Sequence, residues 1–149
     1  MLSMYHDYRI FNPSRGFLCL NELDLGVPLK PPMSSIFRQK TTPQTYRSLV
    51  IEAKRFSGKE ALESGIVDGL GGLEEVLGFV KERGLVDKPK MGVYGVLKRE
   101  MFRETLGYID GYEESEKTDE EVEKKEMRSK EEGESRVAEW KRNAAKAKL

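Results

Sequence analysis

Charged residues are concentrated at one end of this chain, and that asymmetry limits where a folded core can form. Of the 37 residues from 113 to 149, 12 are acidic and 10 are basic, whereas the 112 residues before them hold only 30 charged side chains. A segment with so little apolar surface cannot bury a core of its own. The pattern predicts a folded domain over residues 1–112 and a charged, partly helical tail over residues 113–149.

The overall composition excludes several classes of protein. The chain of 149 residues carries 26 Lys and Arg against 26 Asp and Glu, so it lacks the positive excess of a general nucleic-acid binder. No window approaches the roughly 18 consecutive apolar residues of a membrane span. The single cysteine, Cys19, and the single histidine, His6, exclude a disulfide framework and disfavour most metal sites. We expect no nucleic-acid partner, no membrane span and no metal.

Residues 1–112 show the mixed apolar patterns of an α/β or α+β domain. Strands are predicted where short apolar runs end at turn signals, and helices where apolar residues recur with helical spacing. Ser57 and Glu60 have the spacing of a capping box, and the short helix that they begin ends at Gly65. The predicted strands are 8–11, 17–20 and 66–67, and the predicted helices are 33–40, 43–56, 59–64, 73–82 and 94–109.

Glu22 is the most conspicuous candidate for chemistry, because it follows an apolar run and precedes a loop rich in Gly and Pro. An apolar setting penalises the charged form of a carboxyl group, which makes such a group a usable proton carrier. Most glutamates in such positions are ordinary surface residues, so the residues alone leave both interpretations open. Asp24, two positions further on, is more typical of a solvent-facing or structural carboxylate.

Three other features invite a functional interpretation, and for each a structural one fits better. His6 and Asp7 are adjacent, and adjacent residues of a helix do not face each other, so no catalytic relay is predicted. Cys19 lies within an apolar run, which is typical of a packed thiol. The glycine-rich residues 69–72 lack the lysine and the spacing of a nucleotide-binding loop, and they indicate a turn that enters a helix.

Several longer segments resemble a known family. Residues 4–10 read Met-Tyr-His-Asp-Tyr-Arg-Ile, and residues 16–26 read Gly-Phe-Leu-Cys-Leu-Asn-Glu-Leu-Asp-Leu-Gly. With residues 57–68 and 93–95, they resemble the crotonase (enoyl-CoA hydratase/isomerase) superfamily, and most of all its peroxisomal Δ3,Δ2-enoyl-CoA isomerases. The resemblance implies an α/β fold in which this chain forms the C-terminal part of a β-β-α spiral, with a helical C-terminal region.

The resemblance also implies roles for individual residues. Glu22 matches the single catalytic glutamate of the isomerases, which takes a proton from C2 of the acyl-CoA substrate and returns it at C4. Asn21 and Leu25 become candidates for substrate binding beside it. The first of the two hydratase glutamates would fall at residues 1–3, where no carboxylate occurs, so isomerisation is favoured over hydration. No cofactor is expected, since CoA is part of the substrate.

Other family properties bear on how much of the enzyme this chain represents. Both backbone N–H groups of the family's oxyanion hole would precede residue 1, so the resemblance implies a truncated chain that is not a competent enzyme alone. It also implies a homotrimer or a hexamer. Lys98, Arg99 and Arg103 are candidates for contacts with CoA phosphates, although a solvated helix face is the commoner use of such residues. The alternative functions are a hydratase-like enzyme or a non-catalytic peroxisomal interaction protein.

The last three residues, Ala147, Lys148 and Leu149, resemble a variant of the Ser-Lys-Leu peroxisomal address. A small, a basic and a leucine residue in this order end few chains by chance, and the ending agrees with the resemblance to peroxisomal isomerases. We therefore predict a peroxisomal location, an import receptor as a partner, and a role in fatty acid β-oxidation.

Overall fold

The computed structural model describes residues 2–146 and contains two compact units, residues 1–110 and residues 111–149. The first unit is mostly helical and has one small sheet, whereas the described residues of the second form a single helix. No helix among the described residues is long and apolar enough to cross a bilayer. The helices are α1 (Glu22–Leu25), α2 (Pro31–Lys40), α3 (Pro43–Val50), α4 (Gly58–Glu63), α5 (Leu73–Glu82), α6 (Tyr94–Met101), α7 (Arg103–Asp110) and α8 (Tyr112–Lys146).

The sheet of the first unit consists of two short parallel strands, β1 (Ile10–Phe11) and β2 (Gly69–Leu70). Ile10 lies opposite Gly69 in this pairing. A Cβ atom at position 69 would lie 2.8 Å from Cδ1 of Ile10, so the Ile10 side chain would have to shift to admit one. Gly69 and Leu70 belong to a strand, and only the glycines after them lie in the turn that the glycine-rich pattern predicts.

The other two predicted strands differ from the structure. Residues 17–20 form only an isolated antiparallel bridge, in which Leu18 and Phe56 exchange backbone hydrogen bonds of 2.8 Å. The prediction of a strand at residues 66–67 is wrong, because both backbone N–H groups donate to the carbonyl oxygen of Ala61 in α4. Donors that are already satisfied by a helix carbonyl cannot join a sheet, so the strand begins further along the chain.

Helices with local end signals follow the prediction closely. The capping box is confirmed: the Ser57 hydroxyl accepts from the backbone N–H of Glu60, and the Glu60 carboxylate accepts from the backbone N–H of Ser57 at 3.0 Å. Gly65 follows α4 with a φ of 68°, in the left-handed region that glycine adopts without strain. The bounds of α5 coincide with those predicted from helical periodicity.

The two longest predicted helices of this unit are interrupted. α3 ends at Val50 instead of continuing to Phe56, and Ala53 adopts a φ of 45° in the turn that follows. The predicted helix at residues 94–109 is divided into α6 and α7 at Phe102, whose side chain is buried. In both places an aromatic residue is buried in the core, and this tertiary contact overrides the local periodicity.

A cluster of buried apolar side chains holds the first unit together. α2 packs mainly against α7, and at this contact the buried hydroxyls of Ser35 and Thr105 form a hydrogen bond of 2.8 Å. The members of the cluster are Met4, Leu20, Ile36, Phe37, Leu49, Phe56, Ala61, Ile66, Val67 and Phe102.

The second unit is α8, whose 35 residues form one continuous helix, more than the partial helicity predicted for residues 113–149. None of its described side chains is buried. Lys124 and Glu120 form an ion pair of 3.5 Å one turn apart, of the kind that stabilises an exposed helix locally.

Candidate active site

Glu22 is the first residue of α1, a single turn of helix that follows the bridge residues 18–20. Asn21 precedes it as the N-cap residue, and the Asn21 carbonyl oxygen accepts from the backbone N–H of Leu25 at 3.0 Å. Gly26 ends the turn with a φ of 67°. The Glu22 carbonyl oxygen in turn accepts from the N–H of Val27 at 3.0 Å. These bonds fix the backbone on both sides of the Glu22 side chain.

The carboxylate of Glu22 has one unusual oxygen. Oε2 is shielded from solvent and has no hydrogen-bond partner among the described residues, although the residue as a whole is only partly buried. Shielded acceptors are normally satisfied, since leaving one unpaired costs about 1–3 kcal/mol. An unpaired carboxylate oxygen of this kind needs a proton or a donor to satisfy it.

The residues predicted beside Glu22 lie on the same turn and are open to solvent. Asn21 and Asp24 are exposed, and the Leu25 side chain is 65% exposed. The structure therefore brings Asn21, Glu22 and Leu25 together on one accessible turn. Their roles in substrate binding stay a prediction.

A cavity of about 200 Å³ lies in the first unit, and its lining includes residues 18–20, which precede α1. Its lining is largely apolar and includes Cys19 and Leu20, which immediately precede the turn, together with the partly buried Arg9. Glu22 lies two positions beyond this lining. Cys19 is half-buried at the cavity wall, and its thiol is free.

Asp7, which follows His6 in the sequence, is engaged by residues of α6. The Asp7 carboxylate accepts from the Tyr94 hydroxyl at 2.9 Å and forms an ion pair with Lys98 at 2.9 Å, so it is bound to α6. Burial by itself would raise the pKa of Asp7, but the hydrogen bonds from Lys98 and Tyr94 outweigh burial and hold that pKa below its ordinary value. These contacts occupy the Asp7 carboxylate with partners on α6.

Some of the basic residues of α6 and α7 already form ion pairs within the chain. Lys98 is bound to Asp7, and Arg103 is paired with Glu100 at the break between α6 and α7. Arg99 is exposed. Two of the three candidates for contacts with CoA phosphates therefore have intramolecular partners that a phosphate would have to replace.

Curated proteins are similar to this chain in sequence over about half of their length. No protein-family model matches the chain. Enoyl-CoA delta isomerase 1, peroxisomal, of Arabidopsis thaliana is 30% identical over 120 residues, which cover 77% of this chain and 50% of that protein. Enoyl-CoA delta isomerase 2, peroxisomal, of the same organism is 29% identical over 115 residues, which cover 73% of this chain and 48% of that protein. This chain is a partial homologue of the enoyl-CoA delta isomerases.

Solved structures agree with that relationship at the level of the fold. An enoyl-CoA hydratase from Mycobacterium marinum superposes with a TM-score of 0.58 at 23% identity, over 75% of this chain and 52% of that one. The predicted resemblance to enoyl-CoA hydratase/isomerase proteins, over only part of their length, is confirmed. The chain spans about half the length of the curated relatives it matches.

Sequence analysis missed the contacts that join distant segments of the first unit. The Asp7–Lys98 pair and the Arg9–Asp68 pair, at 3.1 Å, each link residues more than 50 positions apart, and no local pattern signals such a pairing. The predicted targeting residues Ala147, Lys148 and Leu149 lie outside the described residues. No cluster of three or more potential metal ligands occurs in the described part of the chain.

Proposed function

We propose that this chain forms the catalytic-glutamate half of an enoyl-CoA isomerase that converts 3-enoyl-CoA to 2-enoyl-CoA. The observation that carries the proposal is the Glu22 carboxylate, whose Oε2 is shielded from water and unpaired on an otherwise accessible turn. The names of the relatives, enoyl-CoA delta isomerases, support the class of reaction. The chain spans half of their length, so the complete reaction is proposed for this half together with the remainder of the fold.

In this proposal Glu22 moves one proton between two carbons of the substrate. The hydrogen at C2 is acidic because both the thioester carbonyl and the C3–C4 double bond stabilise the resulting dienolate. Glu22 takes that proton and returns it at C4, which leaves the double bond between C2 and C3. One carboxylate suffices, because no water is added. The dienolate oxygen requires hydrogen-bond donors, an effect worth about 3–4 kcal/mol per donor, and the other half of the fold supplies them.

The surroundings of Glu22 support this assignment over one to Asp24. Asp24 is exposed, whereas Oε2 of Glu22 is shielded from solvent. Asn21 and Leu25 are proposed to contact the acyl-CoA from the same turn.

The location of the protein is a separate part of the proposal. We infer that the protein is a peroxisomal enzyme of fatty acid β-oxidation. An import receptor would bind its last residues, Ala147, Lys148 and Leu149. The names of two relatives support the peroxisomal compartment. A fluorescent protein fused to the N-terminus should enter peroxisomes, and deletion of these three residues should leave it cytosolic. Diffuse fluorescence from the undeleted fusion would rule out the compartment.

A homotrimer or hexamer is proposed from the resemblance, and it is supported by exposed apolar side chains on α6. Val96, Leu97 and Met101 are each more than 60% exposed. Exposed apolar patches of this kind mark association surfaces. Sedimentation of the enzyme that contains both halves should give three or six copies, and a stable monomer would contradict this part.

The reaction is tested in a chimera that joins residues 1–149 to the N-terminal half of the Arabidopsis isomerase 1. It should convert 3-enoyl-CoA to 2-enoyl-CoA with little hydration. Glu22→Gln should lower kcat at least ~10²-fold, because the amide cannot carry the proton, while KM changes little. Asp24→Asn is the matched control and should be nearly neutral. A fully active Glu22→Gln chimera would refute the mechanism, and strong hydration by the parent chimera would refute the reaction class.

A further inference from the structure

Charge is unevenly distributed along α8. Residues 112–134 of this helix include 11 acidic and 5 basic side chains, a net charge of −6, whereas residues 135–146 include 1 acidic and 4 basic side chains, a net charge of +3. The helix is continuous across this boundary, and none of its described side chains is buried. α8 therefore presents an acidic segment and a basic segment on one continuous helix.

One face of α8 carries apolar and small residues. Four of them form a stripe within about 40° of one line along the helix, because their spacing is close to whole turns of 3.6 residues. The members of the stripe are Val122, Ser129, Gly133 and Trp140. Val122 is 48% exposed and Trp140 is 69% exposed, and a Cβ atom at Gly133 would meet no atom within 4 Å. The stripe is therefore open to a second helix, whose backbone can approach closely at the glycine.

The stripe is symmetric about position 131. That position is halfway between 122 and 140, and also halfway between 129 and 133. When two copies of α8 lie antiparallel about this common midpoint, Val122 of each copy lies opposite Trp140 of the other. The small residues Ser129 and Gly133 lie opposite each other near the centre. Contacts of this two-fold kind are self-complementary and close after two copies.

Charge favours the antiparallel orientation of such a pair. This orientation places the acidic segment of each copy against the basic segment of the other, whereas a parallel pair places each segment against itself. Glu126 and Arg136 flank the stripe and share its midpoint, so each Glu126 lies opposite Arg136 of the other copy. Complementary charges of this kind fix the register of an interface, and like charges brought together disfavour the alternative.

We propose that α8 associates with α8 of a second copy of this chain, as an antiparallel pair of helices centred on position 131. The charges and the stripe of α8 carry this proposal, which does not depend on the proposed reaction. In a dilute sample, or where salt screens the charges, α8 is the single exposed helix described above. The pair would also join two of the trimers proposed above into a hexamer.

The test uses the full chain and the fluorescence of Trp140, which is the single tryptophan of the sequence. As the protein concentration rises from about 0.1 µM to about 100 µM at low salt, the emission maximum should move to shorter wavelengths, because the exposed ring becomes covered by the second copy. The shift should be reversed by about 0.5 M salt. An emission maximum that does not depend on protein concentration would overturn the proposal.

Charge reversal tests the partner and its orientation. Glu126→Arg places like charges opposite each other twice in the pair, so the Kd obtained from the Trp140 shift should rise at least ~10-fold. Position 126 is about 21 Å from Trp140 along the helix, so this effect reaches the ring through a second copy. The double variant Glu126→Arg/Arg136→Glu restores opposite charges only in an antiparallel pair, and its Kd should return to within ~3-fold of the parent. Glu131→Arg makes the same change in net charge on the opposite face and should stay within ~3-fold.

Three results would contradict the proposal. A double variant as weak as Glu126→Arg would overturn the antiparallel orientation, whereas its recovery excludes loss of helix as the cause of the weakening. Equal losses in Glu126→Arg and Glu131→Arg would overturn the stripe as the contact face. A Trp140 shift that requires phosphatidylserine vesicles and does not follow protein concentration would overturn the second copy as the partner.

Discussion

The two units of this molecule are stabilised by opposite kinds of contact. In residues 1–110, ten buried apolar residues come from segments as distant as Met4 and Phe102. In α8 none of the described side chains is buried, and an ion pair such as Lys124–Glu120 joins residues one turn apart. The first unit should therefore unfold cooperatively, whereas α8 should lose its helix gradually from its ends. The predictions below test this difference.

The largest effect is expected in the core of the first unit. Phe56 is 2% exposed, and Phe56→Ala should lower the free energy of unfolding by about 3–5 kcal/mol, because it leaves a cavity and removes packing. The control is Trp140→Ala in α8, where the ring is 69% exposed and the change should stay within about 0.5 kcal/mol. Urea denaturation measures both values. Similar losses for the two variants would contradict the comparison.

A smaller effect is expected where a local contact supports the first unit. Ser57→Ala removes the hydroxyl that caps α4 and should lower the free energy of unfolding by about 1 kcal/mol. Ser64→Ala is the control, since no hydrogen bond from the Ser64 hydroxyl occurs within the described chain. The same denaturation experiment applies. A loss as large as that of Phe56→Ala would mean that local capping, not the core, limits stability.

The pH dependence of unfolding should reveal the environment of Lys40. Because burial and the charge of Arg9 lower the pKa of Lys40 to about 8 in the folded chain, the unfolded chain binds the extra proton between about pH 8 and pH 10. The free energy of unfolding should therefore rise with pH across this window. Since Lys40 is partly solvated, we expect a rise below about 1 kcal/mol. This rise should be absent in Lys40→Met. Denaturation curves at three pH values measure the free energy of unfolding of both proteins, and a rise that persists in Lys40→Met would contradict the prediction.

The smallest effect is expected in α8. Lys124→Glu places two like charges one turn apart and should cost a few tenths of a kcal/mol of helix stability. Circular dichroism of the full chain would show this as a slight loss of helix, with Lys124→Gln intermediate. The cooperative transition of the first unit should not move. A shift of that transition by several degrees would show that the two units are energetically coupled.

The sequence predicts this fold where the determining contacts are local. The capping box of Ser57 and Glu60 and the helical periodicity of α5 depend on residues three or four positions apart. The break at Phe102 and the end of α3 do not, because each depends on burial of an aromatic side chain in a core assembled from remote segments. The sequence does not predict the partners of Asp7 either, because they come from a remote segment of the chain. The role of Glu22 comes from the resemblance and not from the spacing of residues, and it stays a prediction.

The shielded oxygen of Glu22 also determines how position 22 responds to selection. A carboxylate oxygen without a partner reduces stability, so Gln or Leu at this position should fold at least as well. A library randomised at this codon and selected only for folding would therefore drift away from glutamate. On the proposed function, the same library selected for isomerase activity, with the other half of the fold present, would return to it. The residue found at position 22 would then record whether a lineage has been kept for its chemistry or only for its shape.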